Sequence, residues 1–358
     1  MPYKILTVVG ARPQFVKAAA ISRAIAGVDE IAEVVVHTGQ HFDPAMSRIF
    51  FDELNIAEPQ YNLGIHGGGH GEMTGRMLAA IEPVILAEQP DLVLVPGDTT
   101  STLAGALAAA KLNVPVAHLE AGLRSFNRRM PEEINRVLTD HLSALLLCPT
   151  GTAVANLRRE GIAAGVHDIG DVMYDAALFA ATACSASDIL DRLGIADRPY
   201  AVATVHRAEN TESAAVLGEI LAFLRTQSEA QAVVFPVHPR TRQLLGRWQL
   251  ELGPILACEP LGYLDMHRLL RSAAAVYTDS GGLQKEAYFH RVPCVTLRGE
   301  TEWVETVDAG WNRLWKEPVY APRHDISAYG DGHAAERAVG IMVEYCRCQK
   351  KAASRRSS

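Results

Sequence analysis

Short apolar runs alternate with longer segments of helical periodicity along the whole chain. The first run, at 4–9, ends in a Gly-Ala-Arg-Pro turn, and an alanine-rich helix follows through Ala26. Continuous apolar strands separated by helices are typical of a parallel sheet that is covered on both faces. In this half of the chain the further predicted strands are 31–37, 92–95, 114–118 and 144–148, and the further predicted helices are 100–111 and 132–143.

The same alternation restarts after Gly170. Strands are predicted at 200–205, 232–236, 255–257, 274–278 and 293–296, and helices at 213–228, 264–271 and 282–289. We therefore predict an α/β fold of two doubly wound, Rossmann-like domains with the ligand site in a central cleft at the carboxyl ends of the strands. The predicted domains are 1–168 and 172–340, with a hinge at 165–175. Residues 341–358 are predicted to be a helix end and a disordered basic tail.

Composition narrows the class of protein. A length of 358 residues suits two domains, and a net charge of −7 gives no basic surface for nucleic acid or an anionic membrane. Six cysteines without a Cys-x-x-Cys pair argue against a zinc site and a disulfide framework. The first residues read as a strand rather than a signal peptide, and no apolar run reaches about 18 residues. The cytoplasm is the expected location.

Cationic residues follow the first predicted strand. Gly10 opens a turn in which the backbone can approach a ligand, and Arg12 and Lys17 lie on the first turns of the next helix. The alternative is a tight turn with surface charges. Packing gives a poor account of two cations at the carboxyl end of a strand, so we expect an anion here.

Three carboxylates fall at or near the ends of neighbouring strands of the first domain. Asp98 follows the strand at 92–95, Glu120 follows the strand at 114–118, and Glu132 opens a helix. Separately, Asp98 has a structural explanation as part of a helix N-cap, and Glu132 has one as a helix-dipole partner. Together they are expected to face one cleft, where crowding separates their pKa values and provides a general acid and a general base.

The second domain offers histidines and a glycine pair. His206 follows its first strand, and His238 follows the next with weaker grounds for a function. Ser280-Gly281-Gly282 presents consecutive backbone N–H groups at a helix start, which suits a diphosphate. Glu286, one turn later, is placed to accept both hydroxyls of a ribose.

These motifs in this order resemble the non-hydrolysing UDP-N-acetylglucosamine 2-epimerases, which have the GT-B fold of many glycosyltransferases. The resemblance covers about residues 3–340. Its motifs are Gly10-Ala11-Arg12-Pro13, Gly97-Asp98-Thr99-Thr100, His118-Leu119-Glu120-Ala121-Gly122-Leu123-Arg124, Pro131-Glu132-Glu133-Ile134-Asn135-Arg136, Val205-His206-Arg207, Thr278-Asp279-Ser280-Gly281-Gly282 and Tyr329-Gly330-Asp331-Gly332.

The resemblance implies inversion at C2 of a UDP-sugar by elimination and re-addition of UDP, and a role in polysaccharide biosynthesis such as that of lipopolysaccharide O-antigen. It implies an acid–base group of Asp98, Glu120 and Glu132, assisted by His206. The implied UDP ligands are Arg12, Ser280, Gly281, Gly282 and Glu286. The implied support for the charge of the cleft comes from Lys17 and Arg136, with His238 nearby.

Three segments depart from the family pattern. The common Thr-Glu-Arg-Pro-Glu is here Thr301-Glu302-Trp303-Val304-Glu305, so an arginine near the nucleotide is missing. Phe42-Asp43 stand where members activated by UDP-GlcNAc carry Arg-Gln or Arg-Glu, and the stretch 66–77 also differs, so such activation is not expected. With Arg124-Ser125-Phe126-Asn127, these variants resemble the branch that acts on UDP-2,3-diacetamido-2,3-dideoxy-glucuronate. A histidine- or arginine-bearing loop could meet its carboxylate.

We therefore expect an isomerase of that branch, with UDP-GlcNAc as the alternative substrate. More distant alternatives are a hydrolysing 2-epimerase, a GT-B glycosyltransferase and a UDP-sugar sensor without turnover. No metal, cofactor, nucleic acid or membrane partner is expected. The family resemblance implies a homodimer.

Overall fold

The structure, a computed structural model, describes residues 2–40, 53–54 and 58–356. The contacts of the chain divide it into two compact units. Unit 1 comprises 1–176 together with 327–358, and unit 2 comprises 177–326.

Unit 1 is built on a parallel sheet of seven strands in the order β3-β2-β1-β4-β5-β6-β7. The strands are β1 Tyr3–Val9, β2 Ile31–His37, β3 Tyr61–Asn62, β4 Leu92–Pro96, β5 Val116–Leu119, β6 Leu145–Cys148 and β7 Val166–Asp168. The helices that begin in this unit are α1 Arg12–Ala26, α2 His70–Glu88, α3 Thr100–Lys111, α4 Pro131–Leu142, α5 Gly151–Arg159 and α6 Val172–Ala183, followed near the end of the chain by α14 Ala334–Arg356.

The central strands of this sheet are mostly apolar because helices cover both faces. All five residues of β4 are buried. On one face α1 and α14 form a continuous core that includes Ile21, Ile25 and Met342. On the other, α2 and α3 contribute Met77, Ile81 and a row of alanines.

Unit 2 has a parallel sheet of six strands in the order β10-β9-β8-β11-β12-β13. The strands are β8 Tyr200–Thr204, β9 Ala232–Pro236, β10 Leu256–Cys258, β11 Ala275–Thr278, β12 Cys294–Thr296 and β13 Asn312–Leu314. The helices are α7 Ile189–Arg192, α8 Ala208–Thr211, α9 Ala214–Gln227, α10 Pro239–Trp248, α11 Tyr263–Ser272, α12 Gly281–Phe289 and α13 Val304–Asp308. In both sheets the order reverses beside the first strand of the unit, which is the Rossmann arrangement.

The predicted class of two Rossmann-like domains is confirmed, and every strand predicted from the sequence is present. Three edge strands escaped the sequence analysis because they have only two or three residues: β3, β7 and β13. The boundaries of the units differ from the predicted ones, since 327–340 belong with unit 1. The prediction of a disordered tail is wrong for 350–356, because α14 continues to Arg356.

Candidate active site

The turn after β1 is held by Gln14, a residue to which the sequence analysis gave no role. Gln14 Oε1 accepts hydrogen bonds from the backbone N–H groups of Gly10, at 2.9 Å, and Ala11, at 3.0 Å. Its amide donates to the carbonyl of Pro96 at 2.8 Å. This buried side chain therefore ties the turn bearing Arg12 to the end of β4. Arg12 itself is the first residue of α1 and is half-buried.

Lys17 and Glu120 form a buried ion pair at the same edge of the sheet. Glu120 follows β5 with φ of 73°, a left-handed conformation that costs a residue with a side chain about 1–2 kcal/mol. Gly97, at the end of β4, has φ of 66°, and a Cβ on it would lie 3.3 Å from Lys17 Nζ. The glycine thus leaves room for the ammonium group, which pairs with the carboxylate of Glu120.

Asp98 pairs with Arg136 of α4, and the side chain of the neighbouring Asn135 donates to the carbonyl of Asp98 at 2.9 Å. Arg136 is almost fully buried, whereas the Asp98 side chain is 30% exposed. The arginine therefore fixes a carboxylate that solvent or a ligand can still reach. Lys17 and Arg136, predicted to support the charge of a cleft, each contact one of the predicted acid–base residues.

The two neighbouring glutamates of α4 have different environments. Glu133 is buried and accepts hydrogen bonds from the backbone N–H groups of Ser125, at 2.9 Å, and Phe126, at 3.0 Å. It also lies 3.2 Å from a nitrogen of Arg136. Glu132 is half-buried, and within the described part of the chain it has no hydrogen-bond or ion-pair partner. Glu133 is thus a structural residue, and Glu132 carries the uncommitted carboxylate.

In unit 2 the helix α12 begins at the predicted diphosphate motif. Ser280 is its N-cap, and the serine hydroxyl accepts a hydrogen bond from the N–H of Leu283. A Cβ on Gly281 would lie 2.4 Å from Glu302 Oε1, whereas the nearest atom to a Cβ on Gly282 is 4.0 Å away. The first turn therefore presents backbone N–H groups beside a helix dipole, which is a suitable environment for an anion.

Two arginines beside this turn had no role predicted from the sequence. The buried Arg298 donates to Glu209 at 2.8 Å and to Glu302 at 2.9 Å. Arg207 lies 3.5 Å from the other oxygen of Glu302. Burial raises the pKa of Glu302, but Arg298 and Arg207 outweigh burial and hold it below its ordinary value. Cationic groups are thus present near the segment from which the family arginine is missing.

His206 is oriented by Asp279, a residue of the same family motif as Ser280 that had no predicted role. Asp279 Oδ2 accepts the backbone N–H groups of His206 and Arg207, both at 2.9 Å. His206 Nδ1 lies 3.2 Å from Asp279 Oδ1, and the histidine side chain is 40% exposed. Burial raises the pKa of Asp279, but the hydrogen bond and charge of His206 outweigh it and lower the pKa. Asp279 therefore stays ionised and directs one ring nitrogen of His206 inward, which leaves the other for a ligand.

His238 lies next to His206, with 6.0 Å between ring centroids. It caps α10 and is exposed. Glu286 is buried on α12, where its Oε1 lies 3.8 Å from His267 Nε2. His267 in turn contacts His290 at 2.7 Å. The structure thus brings His206 and His238 together and supports Glu286 with a histidine pair that the sequence analysis missed.

The segment 66–77 is a loop only over its first residues. Helix α2 begins at His70, so the predicted loop extends only to Gly69. Arg76 reaches back from the helix to the carbonyl of His66 at 3.4 Å. Phe42 and Asp43, the other departure from the family pattern, lie outside the described residues.

Among the helices of the described residues, none combines the length and the hydropathy that a membrane span requires.

Comparison with known proteins gives consistent results. A profile of the family described as UDP-N-acetylglucosamine 2-epimerase matches residues 23–343. The UDP-2,3-diacetamido-2,3-dideoxy-D-glucuronate 2-epimerase of Pseudomonas aeruginosa is 54% identical over 316 residues, which are 87% of this chain and 88% of the relative. A UDP-N-acetylglucosamine 2-epimerase homolog of Methanococcus maripaludis is also 54% identical, over 95% of this chain and 99% of its own.

A solved structure has the same fold. The crystal structure of Methanocaldococcus jannaschii UDP-GlcNAc 2-epimerase in complex with UDP-GlcNAc and UDP superposes with a TM-score of 0.87 and 39% identity, covering 96% of this chain and 100% of that one. The match of a family profile to most of the chain and the relatives of near-equal length agree with the arrangement of ion-paired carboxylates and a helix N-terminus suited to a diphosphate. The chain therefore belongs to the UDP-N-acetylglucosamine 2-epimerase family.

Proposed function

We propose that this isomerase inverts C2 of UDP-2,3-diacetamido-2,3-dideoxy-glucuronate to give the manno epimer, by elimination and re-addition of UDP. The observation that carries the chemistry is the set of carboxylates at the carboxyl edge of the first sheet, two of which are paired with buried cations. The family membership predicted from the sequence is confirmed, and so is the class of enzyme.

The proposed reaction has two halves, an elimination and an addition, and each half breaks two bonds and forms two. A base removes the proton at C2, and the electron pair of the C–H bond forms a double bond to C1 as the bond from C1 to the diphosphate oxygen breaks. The products of this half-reaction are a 2-acetamidoglycal and UDP. Return of a proton to the opposite face of C2, with attack of the diphosphate oxygen on C1, gives the epimer. No carbonyl adjoins C2 in the ring, so expulsion of UDP takes the place of enolate formation.

We assign proton transfer to Asp98, Glu120 and Glu132. Protonation of Asp98 or Glu120 would break an ion pair, whereas protonation of Glu132 breaks none that the described residues form. Glu132 is therefore our candidate for the residue that takes or returns the proton at C2. We assign to the paired carboxylates the negative charge that orients and polarises the sugar.

We propose that cationic side chains and N–H groups bind the leaving diphosphate. In unit 2 we assign to it the hydroxyl of Ser280, the N–H groups of Gly281 and Gly282 and an exposed ring nitrogen of His206, since the N–H of Ser280 already donates to Thr278 Oγ1 at 2.9 Å. Arg12 of unit 1 is the further ligand that the family resemblance implies. Hydrogen-bond donors that are fixed before the reaction stabilise charge as it develops on the leaving group. Glu286 is assigned to the ribose hydroxyls, and His238 supports the diphosphate.

The choice of substrate rests on the branch. The relative from Pseudomonas aeruginosa carries the diacetamido-glucuronate name, and the sequence departs from the UDP-GlcNAc pattern at 66–77. Arg76 links α2 to the loop at His66 and lies 3.5 Å from Glu72, so the segment offers one arginine that we assign to a substrate carboxylate. The equally identical relative from Methanococcus maripaludis keeps UDP-GlcNAc as the second candidate.

The test is proton NMR of the purified protein in D₂O with each UDP-sugar in turn. We expect deuterium at C2 of an intact UDP-manno product, with faster conversion of the diacetamido-glucuronate. Faster conversion of UDP-GlcNAc would reverse the choice of substrate. Release of free sugar and UDP would identify a hydrolysing enzyme, and absence of exchange with both sugars would contradict the proposal in favour of a glycosyltransferase or a sensor.

The matched variant is Arg76→Gln, which removes the one arginine of the segment at 66–77 and leaves Glu72 in place. We expect a higher KM for the diacetamido-glucuronate and an unchanged KM for UDP-GlcNAc.

We further propose a homodimer located in the cytoplasm, for which light scattering of the eluting protein gives the test of size: a monomer would contradict the dimer.

A further inference from the structure

His118 is a fully buried histidine, and the proposed chemistry leaves it without a role. It lies in β5, two residues before Glu120. Its Nε2 is 2.7 Å from the carbonyl oxygen of Gly97, the residue before Asp98. Its Nδ1 is 2.6 Å from Asp140 Oδ1. The ring thus connects the turn that bears Asp98 with helix α4.

Both neighbours of the ring are hydrogen-bond acceptors. A backbone carbonyl has no proton to give, so Nε2 must donate to Gly97. Asp140 is ionised because its second oxygen faces the guanidinium of Arg124 at 2.7 Å. Burial raises the pKa of Asp140, but His118 and Arg124 outweigh burial and lower it. An ionised carboxylate also only accepts, so Nδ1 must donate as well.

A neutral ring would bring a lone pair against one of these acceptors at a distance of less than 3 Å. The two atoms would then form no hydrogen bond with each other, which is costly for polar groups buried away from water.

Asp140 also holds the turn that bears Glu120. Its Oδ2 accepts the backbone N–H of Gly122 at 3.1 Å, in addition to the contact from Arg124. Arg124 continues to Glu160, with N–O distances of 2.7 and 2.8 Å. One buried carboxylate thus connects His118 with the backbone of the turn in which Glu120 adopts its left-handed conformation.

We propose that His118 is a positioning residue that acts as a doubly protonated imidazolium and, with Asp140, sets the relative position of the Asp98 and Glu120 turns. The inference rests on the proposed function, because it is the acid–base use of those two carboxylates that makes their spacing matter. The imidazolium fixes two acceptors on opposite sides of one rigid ring. Neither side chain contacts the substrate in this assignment.

The first test needs no turnover. The full-length protein is labelled with ¹⁵N, and the ring nitrogens of its histidines are observed by NMR at neutral pH, with the His118 signals identified by their loss in His118→Gln. We expect both His118 nitrogens to carry protons. A neutral tautomer would overturn the proposal.

The second test separates positioning from substrate binding. For Asp140→Asn and His118→Gln we expect kcat to fall by about 100-fold, as displacement of a reacting group by about 1 Å would cause. KM and the affinity for UDP should stay within a few fold. The control is His141→Gln, which changes the neighbouring, exposed histidine of α4 and should keep wild-type kcat.

Wild-type kcat in both variants, or a change confined to KM, would overturn the proposal. If a variant fails to fold, as shown by circular dichroism, the ring measurement on the wild-type protein still decides, with the His118 signals then identified in that protein by through-space contacts to protons of neighbouring residues of β5. Failure of the wild-type protein to epimerise either UDP-sugar would count against the proposed function and would leave the ring result standing.

Discussion

At the scale of single residues, two adjacent glutamates should respond differently to the same substitution. Glu132→Gln removes a half-buried carboxylate without a partner among the described residues, so we expect turnover to fall by about 100-fold or more while stability is unchanged. Glu133→Gln weakens hydrogen bonds to the N–H groups of Ser125 and Phe126, so we expect a loss of about 1–3 kcal/mol of stability. Urea unfolding and initial rates measure the two effects, and an unstable Glu132→Gln would contradict this division.

A second matched pair lies in the first turn of α12. In Gly281→Ala the new methyl group would lie 2.4 Å from Glu302 Oε1, and Arg298 and Arg207 hold that carboxylate in place. We expect a loss of about 1–3 kcal/mol, as for other over-packed sites. In Gly282→Ala the nearest atom to the new methyl group is 4.0 Å away, and alanine favours a helix, so this variant should not show that loss. Urea unfolding that shows equal stability for the two variants would contradict the crowding argument.

At the scale of elements, helix α4 is the framework of the acid–base cluster. Its first turn carries Glu132, its second carries Arg136 against Asp98, and its third carries Asp140 against His118. These positions are spaced by four residues, so they lie along one face of the helix. The sequence predicted the helix, the importance of its first turn and a supporting role for Arg136, but Asp140 could not be told from an ordinary surface charge.

The two ends of helix α14 should contribute unequally to the stability of the protein. Met342 is fully buried against the first sheet, and Met342→Ala should cost about 2–5 kcal/mol. Lys350 makes only a 3.7 Å contact with Asp91 and a cation–π contact with Tyr3. Deletion of 350–358 should therefore cost at most about 1 kcal/mol. Thermal unfolding gives both values, and a deletion as damaging as Met342→Ala would contradict the argument.

At the scale of the whole molecule, sequence periodicity was sufficient for the sheets and insufficient for the contacts around them. Long apolar strands such as β1 and β4 were predicted because burial on both faces leaves an uninterrupted hydrophobic signal. The return of residues 327–358 to unit 1 was not predicted, because the apolar face of α14 does not specify which sheet it covers. Likewise, Lys17 and Glu120 are 103 residues apart in the chain, and only the fold brings them together.

The histidine pair behind Glu286 should make the stability of unit 2 depend on pH. Burial, and to a smaller extent the charge of His267, lowers the pKa of His290 to about 4. In the unfolded chain a histidine has a pKa of about 6.5, so between about pH 4 and 6.5 the unfolded state binds the additional proton. The free energy of unfolding therefore decreases as the pH falls through this range, by up to about 1.4 kcal/mol per pH unit from this group. The substitution His290→Gln removes that contribution, so urea unfolding of the variant should depend less on pH than that of the wild-type protein. His324→Gln, at an exposed histidine of the same unit, should keep the wild-type dependence, and identical curves for all three proteins would show that His290 is not neutral in the folded state.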